Sequence, residues 1–132
     1  MREELNDTGI ILVADSGCLD SSLKEALAPT GYALLHVSNP REAIATLDLL
    51  KSEIILAVVE APFLARNGCD LIRRLESRGQ RKQVKIILTT VRDRPLSAEI
   101  VKELGGHALV YKPIPPEEWR KTVDAVLGWV AS

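Results

Sequence analysis

Apolar residues gather in five short runs along the chain: Ile10–Ala14, Tyr32–Val37, Ile54–Val59, Val84–Leu88 and Ala108–Tyr111. The first and third runs are continuous rather than alternating, the pattern of strands covered by helices on both faces. Five amphipathic segments separate and follow them. Leu19, Leu23, Ala26 and Leu27 give the first an apolar stripe, and Gly31 follows its end. The second opens Asn39-Pro40-Arg41-Glu42, where Asn39 can cap, Pro40 suits the first helical position and Glu42 completes a capping-box-like arrangement. A third starts near Gly68 and carries Leu71, Ile72 and Leu75. The fourth runs from about Ser97 to Leu104, where Gly105-Gly106 stops it. The fifth starts at Pro115-Pro116-Glu117-Glu118, with Trp119, Val123, Val126, Leu127 and Val130 along one face.

Strict alternation of short strands and helices predicts an α/β domain built on a parallel sheet. Right-handed crossovers then leave few topologies. The expectation is a (βα)5 flavodoxin-like, doubly wound sandwich with five strands in the order 2-1-3-4-5. In such sheets the working site lies at the carboxyl ends of the strands, around the switch between strands one and three. Those ends carry Asp15-Ser16, Glu60, Thr89-Thr90 and Lys112-Pro113. Asp15 and Glu60 would repel one another, and Lys112 would offset the repulsion. A shared polar site and separate solvated strand caps are both open at this point.

Composition narrows the functional classes. The 132 residues are 46% apolar and 27% charged, which sets disorder aside and supports one domain over residues 1–132 with a core from about 9 to 130. A net charge of −1 argues against a strong sequence-independent hold on nucleic acid, so no nucleic-acid partner is expected of this domain. No apolar stretch approaches the ~20 residues that span a bilayer, and Met1–Asp7 is polar with no secretory apolar core, so neither a membrane partner nor export is expected. Cys18 and Cys69 fall short of a disulfide framework or a zinc cluster. The expected location is the cytoplasm. The chain ends two residues after its last helical stripe, which suits a stand-alone protein and equally a piece of a larger kinase or regulator.

From about Ile10 to Val130 the chain resembles the receiver (CheY-like) domain of two-component response regulators. The matching pieces are Ile11-Leu12-Val13-Ala14-Asp15, Asn67-Gly68 eight residues after Glu60, Ile86-Ile87-Leu88-Thr89-Thr90, Gly105 seven residues before Lys112, and Lys112-Pro113-Ile114. The resemblance implies a phosphorelay role. In the family, two adjacent acids and an aspartate after strand three hold Mg²⁺, and that aspartate accepts phosphate from a histidine kinase. A threonine and a lysine bind the phosphoryl oxygens. Thr89 and Lys112 match those two residues, and Asp15 matches the first acid.

Two departures bear on that mechanism. The acceptor position is Glu60, whose extra methylene moves the reacting oxygen by over an ångström, ~ enough to impair in-line transfer. Ser16 replaces the second acid, cutting the formal site charge and weakening Mg²⁺ binding through Asp15 and Glu60. Enzymatic activity is therefore expected to be at most receiver-type self-phosphorylation and dephosphorylation. Leu109 stands three residues before the lysine, where the family usually has a switching aromatic. Tyr111 is expected to face the opposite side of the strand and not to replace it. Pro62 follows the acid by two residues rather than the family's usual four.

Several readings remain in balance. Glu60 could stand in for phospho-aspartate by reaching Lys112 and Thr89, or the site could simply have decayed, with Glu60 paired to Lys112. Cys18 and Cys69 read more simply as inert than as a thiol switch. His36 and His107 lie on different strands and lack a ligand cluster. Arg92, Asp93 and Arg94 read as a solvated loop. Trp129 falls off the stripe of the last helix, where it could anchor a partner or lie flat on the C-terminal turn. Family partners usually dock on the face of the fourth and fifth helices and strand five, which makes Leu109, Tyr111 and Trp129 partner-binding candidates. The reading expected from the sequence is an atypical receiver domain acting as a phosphorylation-independent interaction module. Its partners would be a histidine kinase, an output domain or its own twin. The alternative is an Mg²⁺-dependent phosphoacceptor still modified on Glu60.

Overall fold

The computed structural model describes residues 9–15, 17, 20–49, 54–61 and 84–128. Five strands, β1 (Ile10–Ala14), β2 (Ala33–Val37), β3 (Ile54–Glu60), β4 (Lys85–Val91) and β5 (Ala108–Lys112), form one parallel sheet in the order β2-β1-β3-β4-β5. The described helices are α1 (Ser21–Leu27), α2 (Pro40–Leu49), α3 (Ala98–Glu103) and α4 (Pro116–Leu127). The expected fold and strand order are those observed. The predicted segment from Gly68 through Leu75 lies outside the described residues.

Local chemistry accounts for the helix ends. Asp20 caps α1, its Oδ1 accepting the Ser22 N–H at 3.0 Å. At α2 the Asn39 side chain accepts the Glu42 N–H at 2.9 Å, and Glu42 Oε1 reaches back to accept the Ser38 N–H at 3.1 Å. That reciprocal exchange is the expected capping box, displaced by one residue at its upstream end. Ser97 caps α3 through its hydroxyl. At the other end of α3 the Gly106 N–H donates to Val101 O and the Gly105 N–H to Lys102 O, the two bonds of a Schellman close. Gly105 sits at φ 82, the left-handed backbone that a side chain disfavours there.

The sheet carries a core on each face. Leu12, Ala14, Val37, Ala57, Val59, Ile86 and Leu88 pack toward α2 and α3, with Ala43, Val101 and Leu104 against them. Ile11, Val13, Leu56, Val58, Ile87 and Val110 pack toward α1 and α4, joined by Leu23, Leu27, Ile114, Trp119 and Val123. Strand side chains alternate with a period of two. Asp15 after Val13, Glu60 after Val58, Thr89 after Ile87 and Lys112 after Val110 therefore continue one face, the side of α1 and α4.

β3, β4 and β5 run further than their apolar runs. β4 extends through Thr89 and Thr90 to Val91 because each of these residues has a register partner: Glu60 with Thr89, Thr90 with Tyr111, Val91 with Lys112. β-Branched threonine suits such positions whatever its polarity. Glu60, Thr89 and Lys112 thus stand on the last rungs of the sheet, and Asp15 follows β1 directly.

Candidate functional site

Lys112 Nζ lies 2.5 Å from Asp15 Oδ2, joining the ends of β1 and β5 across two intervening strands. Asp15 is buried, and its other oxygen, Oδ1, accepts the Gly17 N–H at 2.8 Å. Its carbonyl is 2.9 Å from His36 Nε2, so the imidazole donates to it from the neighbouring β2. Asp15 is therefore fixed at both carboxylate oxygens and along its backbone. The turn that follows Lys112 is tied down too, since Ser22 Oγ lies 2.6 Å from Ile114 O and so links α1 to the end of β5.

Beside this pair is a cleft of about 80 Å³ lined by Glu60, Thr89, Thr90, Val91, Arg94 and Lys112. Glu60 is half-buried at its edge. Thr89 is 1% exposed, and its hydroxyl has no hydrogen-bond partner among the described residues. A buried hydroxyl left unpaired costs roughly 1–3 kcal/mol, so Thr89 is a donor held ready for an acceptor. The stand-in reading had Glu60 reaching Thr89. Glu60 and Thr89 share a rung of the sheet, yet that hydrogen bond is not made: Thr89 Oγ1 has no partner among the described residues.

Asp15, Glu60, Thr89 and Lys112 are thus gathered at one end of the sheet, as the shared-site reading expects. Ser16, Cys18, Pro62, Cys69 and Trp129 lie outside the described residues. His36 and His107 engage separate backbone groups, His107 Nδ1 accepting the Ile86 N–H at 3.1 Å.

Two expectations need correction. Tyr111 does not face away from Leu109: the two residues are two apart on β5, so the pleat puts them on the same face. Leu109 packs against the cluster that includes Leu88, with Val101 and Leu104 beside it, while Ala108 and Val110 belong to the opposite core. The Tyr111 ring instead lies beyond that core, with the Arg92 guanidinium 5.7 Å from its centre. Nor is the Arg92–Arg94 loop merely solvated. All three residues are exposed, yet Arg92 lies over Tyr111 of β5 and Arg94 lines the cleft. The sequence placed Thr90 at the strand ends, but Val91 and Arg94 were not expected as parts of the cleft. The signal available was the doubled threonine, of which one must face each side.

Mg²⁺ fits this donor set poorly. The described residues hold no group of three metal-ligating side chains, and Asp15 is already engaged by an ammonium and an amide. Among the described residues a hard octahedral ion would find here only the side-chain carboxylates of Asp15 and Glu60. Adding a carboxylate should repair this. A further unit charge ~4 Å from a divalent ion contributes about 2 kcal/mol even at the dielectric of water, a gain of roughly thirtyfold. Isothermal titration of Ser16→Asp with Mg²⁺ should show affinity higher by about that factor. Equal affinity would mean that Ser16 is not at the ion's site.

The family profile described as the response regulator receiver domain matches residues 10–124. The chain belongs to the response regulator receiver domain family. It is 30% identical over 118 residues to the transcriptional regulatory protein CpxR of Escherichia coli K12, covering 89% of this chain and 48% of CpxR. It is 26% identical over 119 residues to protein PilH of Pseudomonas aeruginosa, covering 90% of this chain and 97% of PilH. The chain therefore spans about half the length of CpxR and nearly the whole of PilH. In fold it resembles the crystal structure of a response regulator receiver protein from Burkholderia phymatum, with a TM-score of 0.77 and 23% identity over 94% of this chain and 98% of that one. No helix among the described residues is long and apolar enough to cross a membrane.

Proposed function

We propose that this receiver domain acts in two-component signalling as a protein-interaction module that works without acyl phosphorylation. One observation carries the reading: Glu60 stands at the acceptor position while the site's ammonium is already engaged by Asp15 at 2.5 Å. A transferring phosphoryl group needs a carboxylate oxygen in line and cationic charge free to meet the charge that develops. Here the longer side chain alters the first and the Asp15–Lys112 pair diminishes the second. Its partners are a histidine kinase, an output domain or a second copy of the chain, met in the cytoplasm. Leu109, Tyr111 and Trp129 are the residues proposed to face them.

A second reading is favoured by a different observation. The buried Thr89 hydroxyl, without a partner among the described residues and in a cleft with Glu60 and Lys112, is suited to a phosphoryl oxygen. On that reading Glu60 is still phosphorylated by a kinase.

Intact mass after incubation with Mg²⁺ and a small-molecule phosphodonor separates the two. The expected result is no increment on the parent protein and one phosphoryl group on the Ser16→Asp, Glu60→Asp double variant. An increment on the parent that disappears in Glu60→Gln overturns the first reading and establishes the second.

A further inference from the structure

His107 stands at the head of β5, at the opposite end of the sheet from Asp15 and Lys112, and its ring completes the ladder to β4. The His107 N–H donates to Ile86 O at 2.7 Å, and the Ile86 N–H donates in turn to His107 Nδ1 at 3.1 Å. In a parallel pair that second bond ordinarily goes to a backbone carbonyl two residues upstream, here that of Gly105. Gly105 is instead committed to the close of α3: it sits at φ 82, and its N–H donates to Lys102 O. The imidazole nitrogen takes the place of the missing rung. Ile86 is 1% exposed, so its N–H has little access to water in exchange.

This bond admits one charge state of the ring. A backbone amide always carries its hydrogen, so Nδ1 must carry none, and the imidazole is neutral with its proton on Nε2. An imidazolium would turn N–H against N–H. The chain's other histidine is under no such constraint, because His36 Nε2 meets the Asp15 carbonyl and donates to it whether the ring is neutral or charged. Nor do the charged groups around His107 hold a second proton on it. Glu118 and Lys121 of α4 line the same cavity, Lys85 adjoins Ile86 on β4, and Lys102 and Glu103 end the helix before it. Among these described residues the bases outnumber the acids, a balance that opposes a further positive charge.

We infer that His107 is an acid-sensitive latch: its neutral ring ties the head of β5 to β4, and protonation releases the tie. His107 is exposed, so solvent protons reach it without prior unfolding. β5 is an edge strand, paired among the described strands with β4 alone, so the lost tie is not made good from its other side. In the unfolded chain a histidine titrates near pH ~6.5. In the folded chain the proton must displace the Ile86 N–H, so uptake occurs at lower pH. The stability contributed by the bond is therefore complete above about pH 6.5, falls as the pH drops through that value, and levels off once the folded form is protonated too. The latch operates whether or not Glu60 is phosphorylated.

Denaturant unfolding of the full chain at about pH 7.5 and about pH 5.5, beside His107→Asn, provides the test. The asparagine oxygen can occupy the Nδ1 position as an acceptor that does not titrate in this range. A net hydrogen bond is worth a factor of roughly two to ten in an equilibrium constant. On acidification the parent's folding constant should therefore fall by roughly two- to tenfold more than the variant's, and His36, present in both, cancels. Nitrogen resonances of the parent's imidazoles should place the His107 proton on Nε2 at neutral pH, a measurement that needs no variant. The inference is overturned if parent and variant lose stability in parallel, or if the parent loses less. It is equally overturned if Nδ1 carries a proton at neutral pH.

Discussion

Trp119→Ala is expected to lower the unfolding free energy by about 3–5 kcal/mol, the range for removing a large buried aromatic side chain. Trp119 heads the fully buried side chains by volume and belongs to the core that joins α1 and α4 to the sheet. Leu23 and Leu27 of α1, Val110 of β5 and Ile114 share that core, so the cavity would open beneath the segment that carries Lys112. The indole adds a sharper test. Its Nε1 has no hydrogen-bond partner among the described residues, and an unpaired buried donor costs roughly 1–3 kcal/mol. Trp119→Phe removes that donor while keeping most of the ring. It should therefore cost far less than the alanine variant, within about 1 kcal/mol of the parent once the smaller cavity is counted. Urea titration with an unchanged slope would give both numbers. Equal losses for the two variants would mean that the N–H is satisfied by ordered water.

Lys112→Met is expected to destabilise the protein by about 2–3 kcal/mol. Removing one partner of a buried ion pair typically costs about 3–5 kcal/mol, because the other charge is left uncompensated. The lower figure applies because the Lys112 side chain is 26% exposed and water can partly take its place. Asp15 is the group left behind, with a side chain only 9% exposed and a second carboxylate, Glu60, on the same face. Combining Lys112→Met with Asp15→Asn should recover most of the loss, since the amide needs no counter-charge. Denaturant unfolding of the four members of this cycle measures the coupling directly. Additive losses would show that Lys112 stabilises the sheet end by packing rather than by charge.

Much of the fold was legible because its signals are local. Continuous apolar runs identify strands buried on both sides, and Asn39-Pro40-Arg41-Glu42 and Gly105-Gly106 identify a helix start and a helix stop by hydrogen bonds that span only a few residues. The side of the sheet shared by Asp15, Glu60, Thr89 and Lys112 was also implicit, since it follows from a period of two. Tyr111 shows how the same rule miscarries. Measured from Lys112 it falls on the opposite face, but the relevant comparison is with Leu109, two positions away.

The sequence by itself determined the five-stranded parallel sheet, its order, the family and the residues standing at the strand ends. The family rests on the resemblance of its matching motifs in their order and spacing, and the others rest on short-range periodicity, on turn and cap chemistry, or on the handedness of crossovers. Tertiary structure alone decided how those residues divide their interactions. Asp15 and Lys112 are 97 positions apart in the chain, and whether the lysine meets Asp15 depends on the register of four strands. Thr89 and Thr90 are chemically identical neighbours, yet the Thr89 hydroxyl has no partner among the described residues while that of Thr90 donates to Arg94 O. Arg92 reaches Tyr111 only because the turn after β4 folds back over β5. Periodicity sets which way a side chain points, but pairing across strands and turns sets what it meets there.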